Sequence, residues 1–237
     1  MSKELKVTFF VKVPDKEADF IEEDLKMHGD EIIKKEFPQI EICDLFQTED
    51  VQYAEKTISY GEITLGKKVQ VTDPCYDPDV WCTKTIENML PGKYNAFATI
   101  ADRGMWGHRV SELMIAHKSV ELGNLKFVRV VTDNIGVDSG NCGFFDYDKY
   151  REAKEADIKF VDEHGDDEIG PFTSKWWAIS DNLRVLGGTL DDWGVLSHSG
   201  YGDGGYDLYL AYDKSEENVV AAKIVYLYNE EEVNESN

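Results

Sequence analysis

The chain has 237 residues, 47 acidic against 25 basic, giving a formal net charge of -22 and a sequence pI near 4.5. With 42% hydrophobic and 12% aromatic residues it can bury a core, which excludes a wholly disordered acidic chain. Its charge repels phosphate backbones and anionic lipid, which argues against direct binding to nucleic acid or to a membrane surface.

Residues 5 to 13 alternate, with Val7, Phe9, Val11 and Val13 on one face, the period of a half-buried strand. Pro14-Asp15 stops it, and Asp15 caps a helix whose apolar stripe runs through Ile21, Leu25, His28, Ile32, Ile33 and Phe37 until Pro38. Ile40, Ile42 and Leu45 predict a second strand, so residues 1–56 read as a strand-helix-strand module too small to bury its own core. From residue 57 the texture changes to short apolar and aromatic strands broken by Gly, Asn and Asp. The expected fold is α+β, with a predominantly antiparallel sheet or sandwich over 57–228 and a polar tail over 229–237.

Candidate strands are 57–65, 67–72, 93–102, 109–117, 125–132, 135–138, 142–146, 175–180, 193–198, 206–212 and 219–228. In the last, Val220, Ala222, Ile224, Tyr226 and Tyr228 share one face. A helix is predicted from Asp77 as cap through Pro78 and Val80 to Leu90, closed by Pro91-Gly92. A second helix or loop spans Asp146 to Ala156, and Asp162 to Glu168 reads as an exposed acidic loop.

No apolar run approaches the roughly 18 residues of a membrane-spanning helix, and Met1-Ser2-Lys3-Glu4 opens no secretory segment, so a cytoplasmic location is expected. Cys43, Cys75, Cys82 and Cys142 form no C-x-x-C pair and have no histidine cluster beside them, so they read as reduced thiols without a structural zinc.

Three stretches carry chemistry. In Val137-Asp138-Ser139-Gly140-Asn141-Cys142-Gly143, Gly140 suits a hairpin turn between two apolar strands, and Asp138 and Ser139 would stand at the rim of a cleft. Ser139 lacks a G-x-S-x-G context and a neighbouring histidine, which weighs against a hydrolytic nucleophile. In Ser197 to Asp207, four glycines in six positions let the backbone pass close to another segment or a ligand; no P-loop lysine follows, and a strand rather than a helix comes next. His198 with Asp203 or Asp207 is a candidate acid-base pair, set against the commoner role of a hydrogen-bonded structural histidine. Asp73, Asp77 and Asp79 offer oxygen ligands at alternating positions for a divalent cation, but the glycine and glutamate of a calcium loop are out of register and turn formation explains them as well.

The order Asp73-Pro74-Cys75-Tyr76-Asp77, Gly92-Lys93-Tyr94-Asn95-Ala96, Gly104-Met105-Trp106-Gly107, Val137-Asp138-Ser139-Gly140 with Phe144 or Phe145 before Asp146, Gly200-Tyr201-Gly202-Asp203-Gly204-Gly205-Tyr206 and Val219-Val220-Ala221-Ala222 resembles a family of uncharacterised bacterial and phage proteins with a domain of unknown function. The resemblance covers residues 66 to 228. It implies a compact β-rich domain and an origin in a phage or other mobile element, and brings no activity with it.

With no cofactor loop, metal cluster or nucleophile-base pair emerging, the expected function is a non-catalytic acidic binding protein without a cofactor. Its expected partner is a basic protein such as a host defence factor, nuclease or toxin, whose nucleic-acid-binding surface it would occupy. Trp106, Tyr201 and Tyr206, large groups beside glycines, are the expected anchors, with Asp203 among them and the basic Lys67, Lys68 and Arg103 gathered elsewhere. The alternatives are an immunity protein against a basic toxin, and a hydrolase or small-ligand binder using a cleft around Asp138, Ser139, His198 and Asp203.

Overall fold

A computed structural model of the chain describes residues 55–130, 134–165 and 167–228. The chain divides into two units, Met1–Gln52 and Tyr53–Asn237, and every described residue belongs to the second. The expected module over 1–56, apart from residues 55 and 56, lies outside the described residues, as do Cys43 and the tail from 229.

The described unit is an α+β fold of mostly antiparallel strands. Strands β1 (Glu55–Leu65), β4 (Gly92–Asp102), β5 (His108–His117), β12 (Val219–Val225), β11 (Gly204–Tyr212) and β6 (Phe127–Arg129) lie side by side in one sheet, with β7 (Ile135–Val137) also paired to β11. The second sheet runs β3 (Lys84–Ile86), β2 (Val69–Thr72), β8 (Asn141–Asp146), β10 (Gly194–His198) and β9 (Gly187–Leu190). The two sheets share one core: Ile63, Tyr94, Leu113 and Ile224 come from the first, and Val69, Val71, Phe144 and Val195 from the second. The second sheet is apolar on both faces. Phe144 faces the first sheet, whereas Phe145 and Leu196 face α1 (Tyr147–His164) and α2 (Pro171–Ser180), where Tyr150, Phe172 and Trp176 complete a second core. Phe145 stacks on Tyr150 with centroids 5.0 Å apart. Burying each such phenylalanine contributes about 1.5–3 kcal/mol. The order of layers is therefore sheet, sheet, helices.

Four local expectations are corrected. No helix forms after Asp77: Asp79 takes a positive φ of 61°, Thr83 closes a turn on the Val80 carbonyl, and Trp81 is 89% exposed, so no apolar stripe exists for a helix to bury. The β-branched Thr85 and Ile86, with Lys84, instead form the short edge strand β3. Residues 175–180 are the end of α2 rather than a strand. Pro171 stands at the start of this helix, and its free N–H groups are met from another helix: Asp157 of α1 accepts from Phe172 N, Thr173 N and Thr173 Oγ1 at 2.7, 2.9 and 2.8 Å. Third, Gly140 does not turn a hairpin: β7 pairs with β11 while β8 pairs with β2 and β10, so the turn carries the chain from one sheet to the other. The acidic stretch from Asp162 also begins inside α1, which runs to His164 before Gly165, at φ 111°, ends it.

Candidate functional site

The sheet-to-sheet turn is built around a buried carboxylate. Asp73 follows the last residue of β2 and is fully buried. Its Oδ1 accepts from Cys75 N at 2.8 Å and Ser139 Oγ at 2.7 Å, and its Oδ2 accepts from Asp138 N at 2.8 Å and Ser139 N at 2.7 Å. A buried charge is tolerated only when donors replace its water shell, and four do so here. The Asp73 loop is further tied to α1, because the Tyr76 carbonyl accepts from the Tyr150 hydroxyl at 2.5 Å. Burial, first, and then the nearby Asp138 carboxylate push the Tyr76 phenol well above its ordinary value.

From there the contact passes to the second glycine stretch. Gly140, at φ 69°, presents its carbonyl to Ser199 N at 3.0 Å, and a side chain at Gly140 would meet Gly202. Ser199 Oγ donates to Gly202 O at 2.8 Å, and the Tyr206 hydroxyl lies 2.8 Å from Ser199 O and 2.6 Å from Gly202 O. The motifs around Asp73, Gly140 and Gly202 therefore form one interlocked cluster.

This cluster presents aromatic groups to solvent. Tyr201, at the tip of the glycine loop, meets Trp106 edge to face with centroids 6.0 Å apart, and both are more than half exposed. Trp106 belongs to a 3-10 turn, Gly104–Trp106, that closes the β4–β5 connection. Asp102 holds it by accepting from Gly104 N, and Arg103 N donates to Gly107 O. Met105 in the same turn is 84% exposed. Asp102, Asp138 and Asp203 are exposed acids of these loops, whereas Arg103 lies half-buried in the hairpin of Trp106. The basic residues are thus not all gathered away from the aromatic pair.

The other predicted residues are placed as follows. Tyr206 is half-buried, packs against Tyr226 and serves as a strut inside the loop rather than an anchor on it. His198 directs Nε2 to Ser180 O at 2.8 Å, at the end of α2, so it does not assemble with Asp203 or Asp207. Asp207 is held by Arg129 at 2.8 Å and by Tyr228. The Ser139 hydroxyl donates to Asp73, which anchors it as part of the turn. The three carboxylates considered for a cation have separate partners: Asp73 as above, Asp77 with Lys154 at 3.4 Å, and Asp79 with Tyr147 and Thr85. No group of three or more metal-ligating side chains occurs among the described residues.

Cys75, Cys82 and Cys142 are free, and Cys75 is exposed rather than part of the core. Burial of its sulfur and the Asp73 carboxylate push the Cys75 thiol up to about 12. Sequence reasoning missed Met105 and Trp81 as exposed apolar groups and Asp73 as the organiser of the cluster. For Met105 the signal was its place beside Trp106 between two glycines.

No protein-family model, curated protein or solved structure matches this chain. No helix among the described residues is long and apolar enough to cross a membrane.

Proposed function

We propose that this chain is a non-catalytic acidic binding protein that recognises a basic protein through the Trp106–Tyr201 surface. The observation that carries the reading is that two large aromatic side chains from separate loops meet at 6.0 Å on the outside of a hydrogen-bonded cluster, with exposed Met105 beside them. Aromatic rings with few rotatable bonds, held by ordered loops, are efficient anchors because little side-chain entropy is lost on binding. The overall charge of -22 favours encounter with a cationic partner. On this reading the protein acts in the cytoplasm as an inhibitor from a phage or other mobile element, in keeping with the resemblance of residues 66–228. An enzyme reading is less well supported, because the hydroxyl of Ser139 and the ring of His198 are both engaged in structural hydrogen bonds.

The test is binding kinetics against a partner captured by the wild-type chain. Trp106→Ala and Tyr201→Ala should each raise the dissociation rate at least about tenfold. The association rate should fall as salt rises, since charges beyond a Debye length of about 8 Å are screened at physiological ionic strength. An association rate indifferent to salt, or capture unaffected by both substitutions, defeats the proposal.

A further inference from the structure

The outer face of the first sheet, opposite the core shared with the second sheet, holds a groove of about 470 Å³ that the aromatic surface does not use. Its floor crosses five strands, because the register sets Thr57 of β1 opposite Thr99 of β4, Thr99 opposite Glu112 of β5, and Lys223 of β12 opposite Tyr209 of β11. At the centre Lys223 Nζ lies 2.6 Å from Glu112 Oε2, both side chains about three-quarters buried, and 5.1 and 5.6 Å above the Phe127 and Tyr209 rings. The rim is a hydrogen-bonded chain: Tyr209 and Tyr228 share a contact of 3.2 Å, and Tyr228 donates to Asp207, which also accepts from Arg129.

The chemistry of this lining narrows its occupant. Hydroxyls and an ion pair dominate, so a lipid or other apolar ligand would strip water from polar groups without replacing their hydrogen bonds. An anion is opposed by the net charge of -22 and by the pairing of Lys223 with Glu112. A cation is opposed by the pairing of Glu112 with Lys223 and of Asp207 with Arg129, and the exposed Glu55, which also lines the groove, adds only a single carboxylate at the end of β1. A neutral, hydroxyl-rich molecule fits. A carboxylate has lone pairs beyond the one facing Lys223, and an ammonium has three donors. Adjacent hydroxyls of a sugar ring can therefore bind the pair together, one donating to Glu112 and the next accepting from Lys223. Thr57 and Thr99, whose hydroxyls are 3.2 Å apart, extend the polar floor, and Tyr228, 39% exposed, offers a ring edge or face at the rim. The volume lies within the roughly 300–1,000 Å³ of small-molecule sites. We infer that this groove is a saccharide-binding site.

The experiment is saturation-transfer NMR with the full chain against glucose, galactose, N-acetylglucosamine, cellobiose, maltose and chitobiose, followed by titration calorimetry of any binder, with inorganic phosphate as the anionic comparison. The expected result is binding of at least one saccharide at about millimolar affinity or better, and none of phosphate. Glu112→Gln, which keeps the shape but breaks the ion pair, should weaken it at least about tenfold, and Tyr228→Ala, at the exposed rim, about fivefold with the melting temperature held. Trp106→Ala should leave saccharide binding unchanged, which separates this site from the protein-binding surface. Absence of binding by all six sugars, binding of phosphate instead, or saccharide binding that survives both Glu112→Gln and Tyr228→Ala overturns the inference.

Discussion

Replacing Asp73 is the sharpest test of how the cluster is held. Asp73→Ala removes four hydrogen bonds at 2.7–2.8 Å and leaves the N–H groups of Cys75, Asp138 and Ser139 and the hydroxyl of Ser139 to find other partners. A buried donor left unsatisfied costs about 1–3 kcal/mol, and water can reach only some of these because Asp138 is exposed while Asp73 is fully buried. With two donors remaining unmet and a cavity in place of the carboxylate, the loss should be about 3–5 kcal/mol, a large part of the roughly 5–15 kcal/mol that holds a domain. Asp73→Asn keeps the volume and one acceptor oxygen but turns an NH₂ toward the other donor pair, so it should cost about 2–3 kcal/mol. Ser139→Ala deletes a single hydroxyl and should cost about 1 kcal/mol. Urea unfolding followed by tryptophan fluorescence reads the series as midpoint shifts, about 1–2 M for Asp73→Ala. Asp203→Asn, on the exposed side of the loop, is the control and should leave the unfolding free energy within about 0.5 kcal/mol of wild type. An alanine variant losing under about 1 kcal/mol, or an asparagine variant indistinguishable from wild type, refutes the claim that this carboxylate organises the turn.

Other consequences are open to simple measurement. Asp157→Ala leaves the first N–H groups of α2 without acceptors and should destabilise the unit by about 2–4 kcal/mol, with Trp176 and Trp177 fluorescence reporting the change. Cys75, though exposed, should alkylate at pH 7.5 about a thousandfold more slowly than an ordinary thiol, because so little of it is thiolate; a rate near that of free cysteine contradicts this. His117 packs edge-on to Tyr94, and burial lowers its pKa below the ordinary 6.5. The unfolded chain then takes up this proton before the folded one, so stability should fall as pH drops below about 6.5 and level off once the folded histidine protonates. His117→Gln should flatten that slope in a series of melts from pH 7.5 to about 5, and an unchanged slope counts against the assignment.

What could be read from the residues alone follows from locality. The strands around 93–102 and 109–117 were legible because alternating apolar residues bury one face and turn residues bound each run; the strand predicted over 219–228 is instead buried at nearly every position, ends at Val225, and leaves Tyr228 on the outer face rather than with Ala222, Ile224 and Tyr226. The α+β class followed from that texture. The second helix escaped because its cap is Asp157, a residue on another helix, so no Ser, Thr, Asp or Asn stood at the expected N-terminal position. Strand β9, with Gly187 and Gly188 at its start, has little intrinsic preference and is held by β10; the missing side chain at Gly187 lets the Leu196 carbonyl approach. At the site, Gly140 and the run from Gly200 to Gly205 were recognisable as turns, yet their partner was not, because Asp73 and Ser139 are 66 residues apart in sequence. The pairing of Trp106 with Tyr201 is likewise a product of two sheets bringing their loops together. The same nonlocality redirects His198: its backbone belongs to β10, whose neighbours carry the ring to the end of α2.

Order in the glycine loop should itself set the strength of recognition, and Gly202 separates that effect from packing. At Gly202 a side chain would meet nothing within 4 Å, but the backbone has φ 115°, a region that L residues avoid. Gly202→Ala therefore adds strain without a clash, and the loop can relieve it only by giving up the bonds that Ser199 and Tyr206 make to the Gly202 carbonyl. A strained residue of this kind costs about 1–3 kcal/mol, and the local loop rather than the core should yield, so the global unfolding free energy should drop by less than that strain. Tyr201, one residue before Gly202, then samples more positions, and a partner must pay to fix it. The expected signature is a higher dissociation rate with an association rate still governed by charge. By contrast Gly143→Ala places a methyl group 2.2 Å from the Val195 carbonyl inside the second sheet and should unfold the unit without any selective effect on the loop. Equal losses of stability and binding in both variants would mean that the loop has no separate order to lose, and that Tyr201 is presented by the core alone.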